Sequence, residues 1–437
     1  MVPRTPVLQH NNKKSPAPMT AHRTIVYRLL PETRANARRL SGQAGACRYV
    51  WNAILAESGD RYREWQEAQQ SGNMEMAKPS VSFFSLGKRF TKLRREVDWL
   101  DQYSFKITRY ALKYQADAWK AAFVNGRGFP RFHSRHGRDP SFTVPDRVMI
   151  REGRLYIPCL GWLPIRRRGG NPHPDGVPVR AVVKRQDGKW YVSVCYRVEF
   201  PEIEDNGEVV GIDRNVGNIA YATGKGDAGL IASPDLSRHD SFVRKANRKL
   251  ARQRKGSRRR QRHVLYLRKL HRRRANRRSD WQHKASRGIA SMASTVVVED
   301  LNIRGMSKSA RGTVENPGRH VKAKSGLNRE ILNMGWGGLI GKMSYKCREV
   351  ITVNPAHTSQ TCSACGEVDG RSRRGRSFKC VACGHADHAD LNAARNILAS
   401  GIGATAHGGI LDGVLALPAP EAMPLKCEMD TKVALST

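Results

Sequence analysis

The chain has 437 residues, of which 39% are hydrophobic, so it has enough apolar side chains for buried cores and is not disordered throughout. Its 77 Lys and Arg residues outnumber 38 Asp and Glu residues, which gives a formal net charge of +39. A compact protein with this surplus repels itself unless a polyanion neutralises it, which indicates nucleic acid or an anionic membrane. No window reaches the roughly 18 consecutive apolar residues of a membrane span, so we expect nucleic acid and no membrane partner.

The first third of the chain is predicted to be mostly helical. Residues 1–20 are polar and lack the apolar core of a signal peptide, which indicates a disordered extension. The stretch HRTIVYRLL, within 21–32, predicts a strand. Residues 33–57 and about 106–123 place apolar side chains at helical spacing, with polar helical segments between them, and the last helix ends at NGRGFP, where glycines and a proline terminate it.

The pattern changes to strands in residues 135–203. The sequence RVMIREGRLYIP alternates around Glu152-Gly153, and VRAVVKRQDGKWYVSVCYRVEF alternates around Asp187-Gly188. Both are hairpin signals. We expect these strands to form one β-barrel with the early strand, interrupted in sequence by the helical region.

An α/β pattern begins at Val209. Three apolar strands, VVGIDRNVGNIAYAT, STVVVEDLNI and REVITVNP, alternate with helical segments. Between the first two strands, residues 241–290 contain 20 Lys and Arg and a single acidic residue, Asp280. The chain then becomes rich in Gly, Ala and Pro, and 403–437 is predicted to be a flexible tail.

Four of the nine cysteines form two C-x-x-C pairs. They are Cys362, Cys365, Cys380 and Cys383. Each pair presents two thiolates to one metal, and two pairs complete a tetrahedral shell of four sulfurs around Zn²⁺. Four protein ligands leave no position for water, so this zinc is predicted to be structural. The other cysteines are isolated, which argues against a disulfide framework and favours a reducing compartment.

Three acidic residues form a second candidate site. Asp213 lies within the first apolar strand, Glu299 ends the VVVE strand and Asp390 precedes the helix LNAARNIL. An acid within an apolar strand is costly unless a cation or hydrogen bonds compensate it. Converging carboxylates would hold two Mg²⁺ ions about 3.5–4 Å apart for phosphodiester hydrolysis. Taken alone, Asp390 is better explained as a favoured helix N-cap than as a catalytic residue, and Glu299 as a solvated strand end. Their joint placement favours the metal site.

The basic stretch 241–290 has a helix-forming composition, with Val264, Leu265, Leu267 and Leu270 available to anchor part of it. A solvated charged face or a disordered arm would have the same composition. Arginines matched to phosphates release counterions and bind a backbone without reading its sequence, and we favour a helix that lies along a nucleic-acid duplex. The candidate contacts are Arg252, Arg254, Arg258, Arg259, Arg262, Arg268, Arg272, Arg273 and Arg277.

The order of the motifs resembles that of a known family. VVGIDRNVGNIA, VVVEDLNI, TSQTCSACG…KCVACG and DLNAARNIL follow the order of the RuvC motifs and zinc ribbon of TnpB, and CRYVWN and GFPRFHSRHGRDPSFTVP resemble its recognition and wedge regions. TnpB proteins are transposon-encoded, RNA-guided DNA endonucleases related to type V CRISPR nucleases. The resemblance implies a multidomain α/β and β fold: a RuvC (RNase H-like) nuclease domain with an inserted four-cysteine zinc ribbon, plus a wedge β-barrel with an inserted helical recognition region.

The resemblance also divides the chain into domains. Between the extension and the tail it implies 21–32 and 135–203 for the wedge barrel, 33–134 for the recognition region, 204–357 and 386–402 for the RuvC-like nuclease with its arginine-rich helices, and 358–385 for the zinc ribbon. In this family the ribbon is inserted just before the last nuclease motif, so DLNAARNIL returns the chain to the nuclease core.

The catalytic, Mg²⁺-binding set implied by the resemblance is Asp213, Glu299 and Asp390. Asp387 is a nearby competitor, and Asp390 is preferred because it directly precedes LNAA. In one departure from the family, Asn215 stands where a glycine often follows the first aspartate by two residues, which could alter the turn beside it.

The resemblance predicts a metal-dependent endodeoxyribonuclease of the prokaryotic cytoplasm, associated with the nucleoid. It would bind a guide RNA and cleave double-stranded target DNA next to a short flanking motif. A miniature type V CRISPR effector is an alternative that the sequence does not separate from TnpB. A non-cleaving RNA-guided regulator or transposition accessory protein is a second alternative, and a ribosome-like RNA-binding protein a third; neither explains the three acids. The oligomeric state, monomer or dimer, stays open.

Overall fold

The computed structural model describes residues 19–135, 139–167, 176–200, 203–406 and 415–416. The predicted extension (1–20) and tail (403–437) therefore lie mostly outside the described residues. The chain divides into two compact units, Met1–Pro201 and Glu202–Thr437. No described helix is both long and apolar enough to cross a membrane.

In the described residues of the first unit, three α-helices follow the first strand. They are α1 (Arg34–Gln70), α2 (Phe83–Glu96) and α3 (Phe105–Asn125), with a short 3-10 helix (Asp98–Gln102) before α3. The hydroxyls of Thr33, Ser82 and Ser104 accept hydrogen bonds from backbone N–H groups in the first turn of α1, α2 and α3. Each helix therefore begins at a favoured N-cap residue.

The seven strands of the first unit form one antiparallel sheet. They are β1 (Met19–Leu29), β2 (Ser141–Val144), β3 (Ile150–Arg151), β4 (Arg154–Ile157), β5 (Gly161–Arg167), β6 (Gly176–Gln186) and β7 (Lys189–Phe200), in the order β2-β6-β7-β1-β5-β4-β3. Both predicted hairpins are present, and Glu152, Gly153, Asp187 and Gly188 have φ values of 48°, 70°, 49° and 76°. Positive φ at both central residues is what a two-residue hairpin turn of type I′ needs.

The core of the first unit joins this sheet to α1 and α3. Tyr27 and Val192 of the sheet share one buried cluster with Leu40 of α1 and Ile107 of α3. Inside it the hydroxyls of Tyr27 and Tyr196 are hydrogen-bonded at 2.8 Å, so the polar ends of both rings are satisfied. The early strand and the later strands therefore fold together across the helical segment.

The second unit is built on a mixed six-stranded sheet. Its strands are β8 (Val209–Arg214), β9 (Asn218–Thr223), β10 (Ala228–Ala232), β11 (Thr295–Glu299), β12 (Glu349–Val353) and β16 (Leu415–Ala416), in the order β10-β9-β8-β11-β12-β16. β8, β11 and β12 are parallel, and the others pair antiparallel. β16 lies within the range predicted to be a tail.

Helices cover both faces of this sheet. They are α4 (Ser237–Ala251), α5 (Arg258–Met292), α6 (Ile303–Met306), α7 (Val321–Met334), α8 (Trp336–Met343) and α9 (Ala389–Ala406). Val296 and Val298 of β11 pack in one cluster with Ile289 of α5 and Leu339 of α8. Val297 packs instead with Ile397 of α9. Alternate residues of the central strands thus face different helices, as the two-residue period of a strand requires.

A small three-stranded module separates β12 from α9. Its strands are β13 (Arg373–Arg374), β14 (Ser377–Lys379) and β15 (Ala386–His388). Phe378 is buried at its centre with Cys362, Cys380 and Ala389. We call residues 358–388 the four-cysteine module; β15 leads directly into α9.

Candidate functional site

The alternation of β8 and β11 places two acids on the same face of the sheet. Gly211 of β8 lies against α9, since a Cβ there would come within 2.5 Å of the Ala394 carbonyl oxygen. Asp213 follows two residues later and therefore faces the same side. Glu299 has the same relation to Val297. Ile212 pairs with Val298 in the parallel ladder, so both acids lie at the carboxyl ends of neighbouring strands.

The third acid is brought to this edge by the start of α9. Asp390 is the second residue of that helix, and its backbone N–H donates to Nδ1 of His388 at 3.2 Å. Its Oδ2 accepts a hydrogen bond from Asn218 Nδ2 at 3.3 Å. Asn218 begins β9, the strand beside β8. The three predicted acids thus converge, with exposed fractions of 6%, 8% and 5%.

Burial is the largest electrostatic effect on the first acid, Asp213. The pKa of Asp213 is raised to about 7, chiefly by burial; the hydrogen bond from Asn215 lowers it, and the charges of Glu299 and Asp390 raise it. That bond runs from Asn215 Nδ2 to Asp213 Oδ2 over 2.6 Å. Asn215, the residue that departs from the family pattern, therefore fixes the orientation of the Asp213 carboxylate.

Two further residues hold Glu299. The buried hydroxyl of Thr358 donates to Glu299 Oε1 at 2.6 Å, and Nη2 of Arg214 donates to the Glu299 carbonyl oxygen. Arg214 is itself buried, and desolvation lowers its pKa while Glu299 and Asp213 raise it. Its positive charge offsets part of the acidic cluster from within the protein.

The competing acid Asp387 has other partners. Its Oδ2 lies 3.3 Å from Nε of Arg395, and its Oδ1 accepts the backbone N–H of His388 at 2.7 Å. Asp390 is among the groups whose charge raises the pKa of Asp213.

An arginine that the sequence did not single out also reaches the acids. Nη2 of Arg373, on β13 of the four-cysteine module, donates to Asp390 Oδ1 at 3.3 Å. In the sequence Arg373 lies within RSRRGRS, and nothing distinguishes it there from its basic neighbours. No signal in the sequence pointed to Thr358 either. Both contacts join residues that are distant in sequence, which local patterns do not reveal.

The four predicted zinc ligands form one cluster. Their Sγ atoms all lie within 4.8 Å of one another, and within the described part of the chain they are the one group of three or more His, Cys, Asp or Glu residues so closely grouped. The Sγ atoms of Cys362 and Cys383 are 3.7 Å apart, and those of Cys365 and Cys380 are 3.6 Å apart. Tetrahedral Zn–S bonds of about 2.3 Å require sulfurs about 3.8 Å apart, so the cluster fits a zinc ion.

Backbone geometry explains how the two cysteine pairs turn. Gly366 and Gly384 donate backbone hydrogen bonds of 2.9 and 3.1 Å to the carbonyls of Cys362 and Cys380. Both glycines have left-handed φ values of 78° and 75°, which other residues adopt at a steric cost. Each C-x-x-C pair is thereby closed into a loop that points two thiols at one place.

The predicted arginines lie on a helical hairpin of α4 and α5. Leu270 of α5 packs with Val243 and Ala246 of α4, and Leu267 packs beside them. Leu265 is 51% exposed, so its suggested role as an anchor is wrong: it lies on the solvent side of α5. Arg272 is half-buried, and the other candidates are exposed. One cavity of about 260 Å³ on this hairpin is lined by Arg238, His239, Phe242, Leu270, Arg273 and Arg277.

These features define an α/β protein in which three buried carboxylates meet at one sheet edge and a four-cysteine module precedes the helix that carries the last of them. Three family models match the chain: "Probable transposase" over residues 193–310, "Cas12f1-like, TNB domain" over 336–397 and "Helix-turn-helix domain" over 19–67.

Curated relatives extend over most of the chain. It is 33% identical to "Putative RNA-guided DNA endonuclease InsQ" of Escherichia coli (strain K12), covering 82% of this chain and 87% of that protein. It is 28% identical to "Putative RNA-guided DNA endonuclease" of Streptomyces pristinaespiralis, covering 90% and 92%. It is 32% identical to "CRISPR-associated endodeoxyribonuclease Cas12f1" of Sulfoacidibacillus thermotolerans, covering 48% and 50%. The chain belongs to the TnpB (OrfB) family.

Proposed function

We propose that this protein is an RNA-guided DNA endonuclease of the TnpB type, which hydrolyses phosphodiester bonds at a site formed by Asp213, Glu299 and Asp390. The observation that carries the proposal is the convergence of these three buried acids from two parallel strands and one helix start. The names of the relatives support the guided-endonuclease activity.

The acidic site suits Mg²⁺. The raised pKa of Asp213 reflects first its burial and then the neighbouring charges of Glu299 and Asp390, and a divalent cation would offset both costs. Their oxygens are not grouped as tightly as the four cysteine sulfurs, which suits two ions sharing the acids better than one ion held by all three. When bound, two Mg²⁺ ions would polarise a water and neutralise charge on the leaving oxygen.

The chain's own residues then have distinct tasks. Asp213, Glu299 and Asp390 would hold the metal, Asn215 orients the first carboxylate and Thr358 orients the second. The cysteine cluster would hold one structural Zn²⁺, because four sulfur ligands leave no position for a substrate.

The nucleic-acid contacts follow from the charge. We assign the second unit, with its sheet and its α4–α5 hairpin, to a RuvC-like nuclease, and the sheet and helices of the first unit to the wedge and recognition regions. The exposed arginines of the hairpin would bind phosphates of guide RNA and double-stranded target DNA. Base pairing with the guide would supply most of the sequence specificity. The protein would act in the cytoplasm of a prokaryote.

A miniature CRISPR effector is the second candidate, and the match to a Cas12f1-like domain model supports it. The two candidates differ in the origin of the guide. RNA bound to the protein purified from cells that carry its native flanking DNA would be sequenced. A transposon-end RNA would favour TnpB, a CRISPR repeat would favour the effector, and a mixture of unrelated cellular RNAs would contradict both.

The nuclease site is tested by exchanging single carboxylates. Asp213→Asn should lower cleavage of a guide-matched target by about a hundredfold or more, while RNA and target binding persist. Asp387→Asn is the matched control: it removes a nearby carboxylate that pairs with Arg395, and cleavage should be largely retained. Retained cleavage in the Asp213 variant would show that the acids are assigned wrongly. If the protein is a non-cleaving regulator, the wild type itself will show no cleavage.

A further inference from the structure

A basic segment of the first unit is held against α1 by several specific contacts. Residues 127–135, which we call the strap, follow α3 and have the sequence RGFPRFHSR. Trp51 Nε1 donates to the Arg131 carbonyl at 3.0 Å. Asn52 Nδ2 donates to the His133 carbonyl at 3.1 Å, and Asn52 Oδ1 accepts the His133 N–H at 2.8 Å. The strap is therefore fixed to one turn of α1 through its backbone.

Side-chain packing fixes the strap as well. The His133 ring stacks on Trp51 with centroids 4.2 Å apart and planes 10° from parallel. At the other end, the Phe129 ring lies 5.5–5.6 Å from the rings of Trp119 and Tyr62. The segment is thus held on both sides of Phe132.

Phe132 itself is exposed to solvent. Its side chain is 64% exposed, although the strap on both sides of it is packed. An exposed phenylalanine by itself is ordinary. Here, however, the backbone that carries the ring is held in place. The protein therefore loses little conformational entropy when a partner stacks on the ring.

The strap that carries Phe132 is basic. Arg127, Arg131 and Arg135 of the strap are all exposed, and the strap contains no acidic residue. On α1, Glu57 pairs with Arg61 at 2.9 Å and Asp60 pairs with Arg63. An aromatic face among arginines is the arrangement that binds unpaired nucleotides, because bases stack on the ring and phosphates bind the guanidinium groups.

We propose that Phe132 stacks on one unpaired base, whose flanking phosphates are bound by Arg131 and Arg135. The ligand is a nucleotide out of its duplex, from either of two sources: the RNA that the protein binds, or a strand separated in the target DNA. The inference rests on the proposed function only in that the partner is a nucleic acid, and it adds a site that lies outside the acidic cluster.

The first test maps the nucleotide directly. A photoreactive benzoylphenylalanine replaces Phe132 in the full-length protein, which is purified with its RNA and irradiated with and without target DNA. Phe84→benzoylphenylalanine is the control, because Phe84 in the same unit is equally exposed, at 66%, but lies on α2. A crosslink at one discrete nucleotide from position 132 supports the proposal and its identity gives the source. Crosslinks no more frequent than from position 84 overturn it.

The second test measures binding. Phe132→Leu keeps an apolar side chain but removes the stacking face, and should weaken binding of the crosslinked nucleic acid about fivefold or more. Phe132→Trp should bind it like the wild type. Equal affinities of the Leu variant and the wild type overturn the inference and leave the proposed function intact. A wild-type protein that retains no discrete RNA would instead contradict the proposed function.

Discussion

Arg373 of the four-cysteine module donates a hydrogen bond to the carboxylate of Asp390 at 3.3 Å. Asp390 and Arg373 both act on the charge of Asp213. The module therefore contributes a cation to the acidic site and not only a scaffold. Its guanidinium is partly exposed, so it can contact both the carboxylate and a bound phosphate.

Replacing Arg373 should therefore slow cleavage more than it weakens binding. We expect Arg373→Ala to lower the cleavage rate about tenfold to a hundredfold, the scale of one lost electrostatic contact at a reacting group. The rate is measured with target and guide at saturation. Arg374→Ala, which removes the exposed neighbour on the same strand, is the control. Equal rates for the two variants would exclude a role for Arg373 in cleavage.

Removal of zinc should disturb the acidic site through α9. Ser363 N–H donates to Asn392 Oδ1 at 2.9 Å, and Asn392 and Asn396 of α9 each donate to the Thr361 carbonyl at 2.7 Å. Loosening the cysteine loop breaks these contacts beside Asp390. Cys362→Ser should lower both zinc content, measured by elemental analysis, and cleavage.

The wild type should contain about one zinc per chain, as four thiolates bind one ion. Cys159→Ser provides the control, since Cys159 is exposed and lies in the other unit, and this variant should keep both zinc and activity. Full cleavage by the Cys362 variant after loss of zinc would contradict the coupling to α9.

Gly211 permits the close approach of β8 and α9, and alanine there should separate them. Its added Cβ would lie 2.5 Å from the Ala394 carbonyl oxygen and 2.5 Å from the Leu398 nitrogen, both backbone atoms. We expect Gly211→Ala to destabilise the protein by about 1–3 kcal/mol and to reduce cleavage, because α9 carries Asp390.

A glycine in a helix gives the opposite expectation. Gly288 of α5 has no atom within 4 Å of an added Cβ, so Gly288→Ala should stabilise by about 0.5–1 kcal/mol through the unfolded chain and helix propensity. Thermal or urea denaturation compares the two variants. A Gly211→Ala protein as stable as the wild type would mean that α9 does not pack as described.

The isolated buried cysteines should resist alkylation in the native protein. Burial raises the pKa of Cys47 to about 12 and that of Cys347 to about 11. A raised thiol pKa means that less of the reactive thiolate is present at any given pH. At about pH 8, iodoacetamide should label the exposed Cys159 first, and Cys47 and Cys347 only after denaturant unfolds the chain. Peptide mass spectrometry gives the order; labelling of Cys47 as fast as Cys159 would disprove it.

Local patterns predicted the elements well where periodicity and turn chemistry determine them. The hairpins at Gly153 and Gly188 follow from residues that accept positive φ, and the apolar strands β8, β11 and β12 follow from runs too apolar for a surface. Strand periodicity also explains why Asp213 and Glu299 share a face, once the parallel register is known. That register is set by tertiary packing, which the sequence alone does not give.

The choice of Asp390 over Asp387 came from the family motif and stays a prediction; the two acids differ in their hydrogen-bond partners. Arg373 and Thr358 could not have been selected, because each acts through a contact between segments far apart in the chain. The packing of Leu270, but not Leu265, against α4 likewise depends on which side of α5 meets its neighbour.

The distance in sequence between Asn218 and Asp390, 172 positions across one hydrogen bond, has a consequence for synthesis. A ribosome produces the strands with Asp213 and Glu299 long before the helix that carries Asp390. A growing or truncated chain can therefore hold two of the acids without the third. We expect hydrolytic competence to arise only after the helix that carries Asp390 has left the ribosome, so that fragments terminated before that helix do not cut DNA.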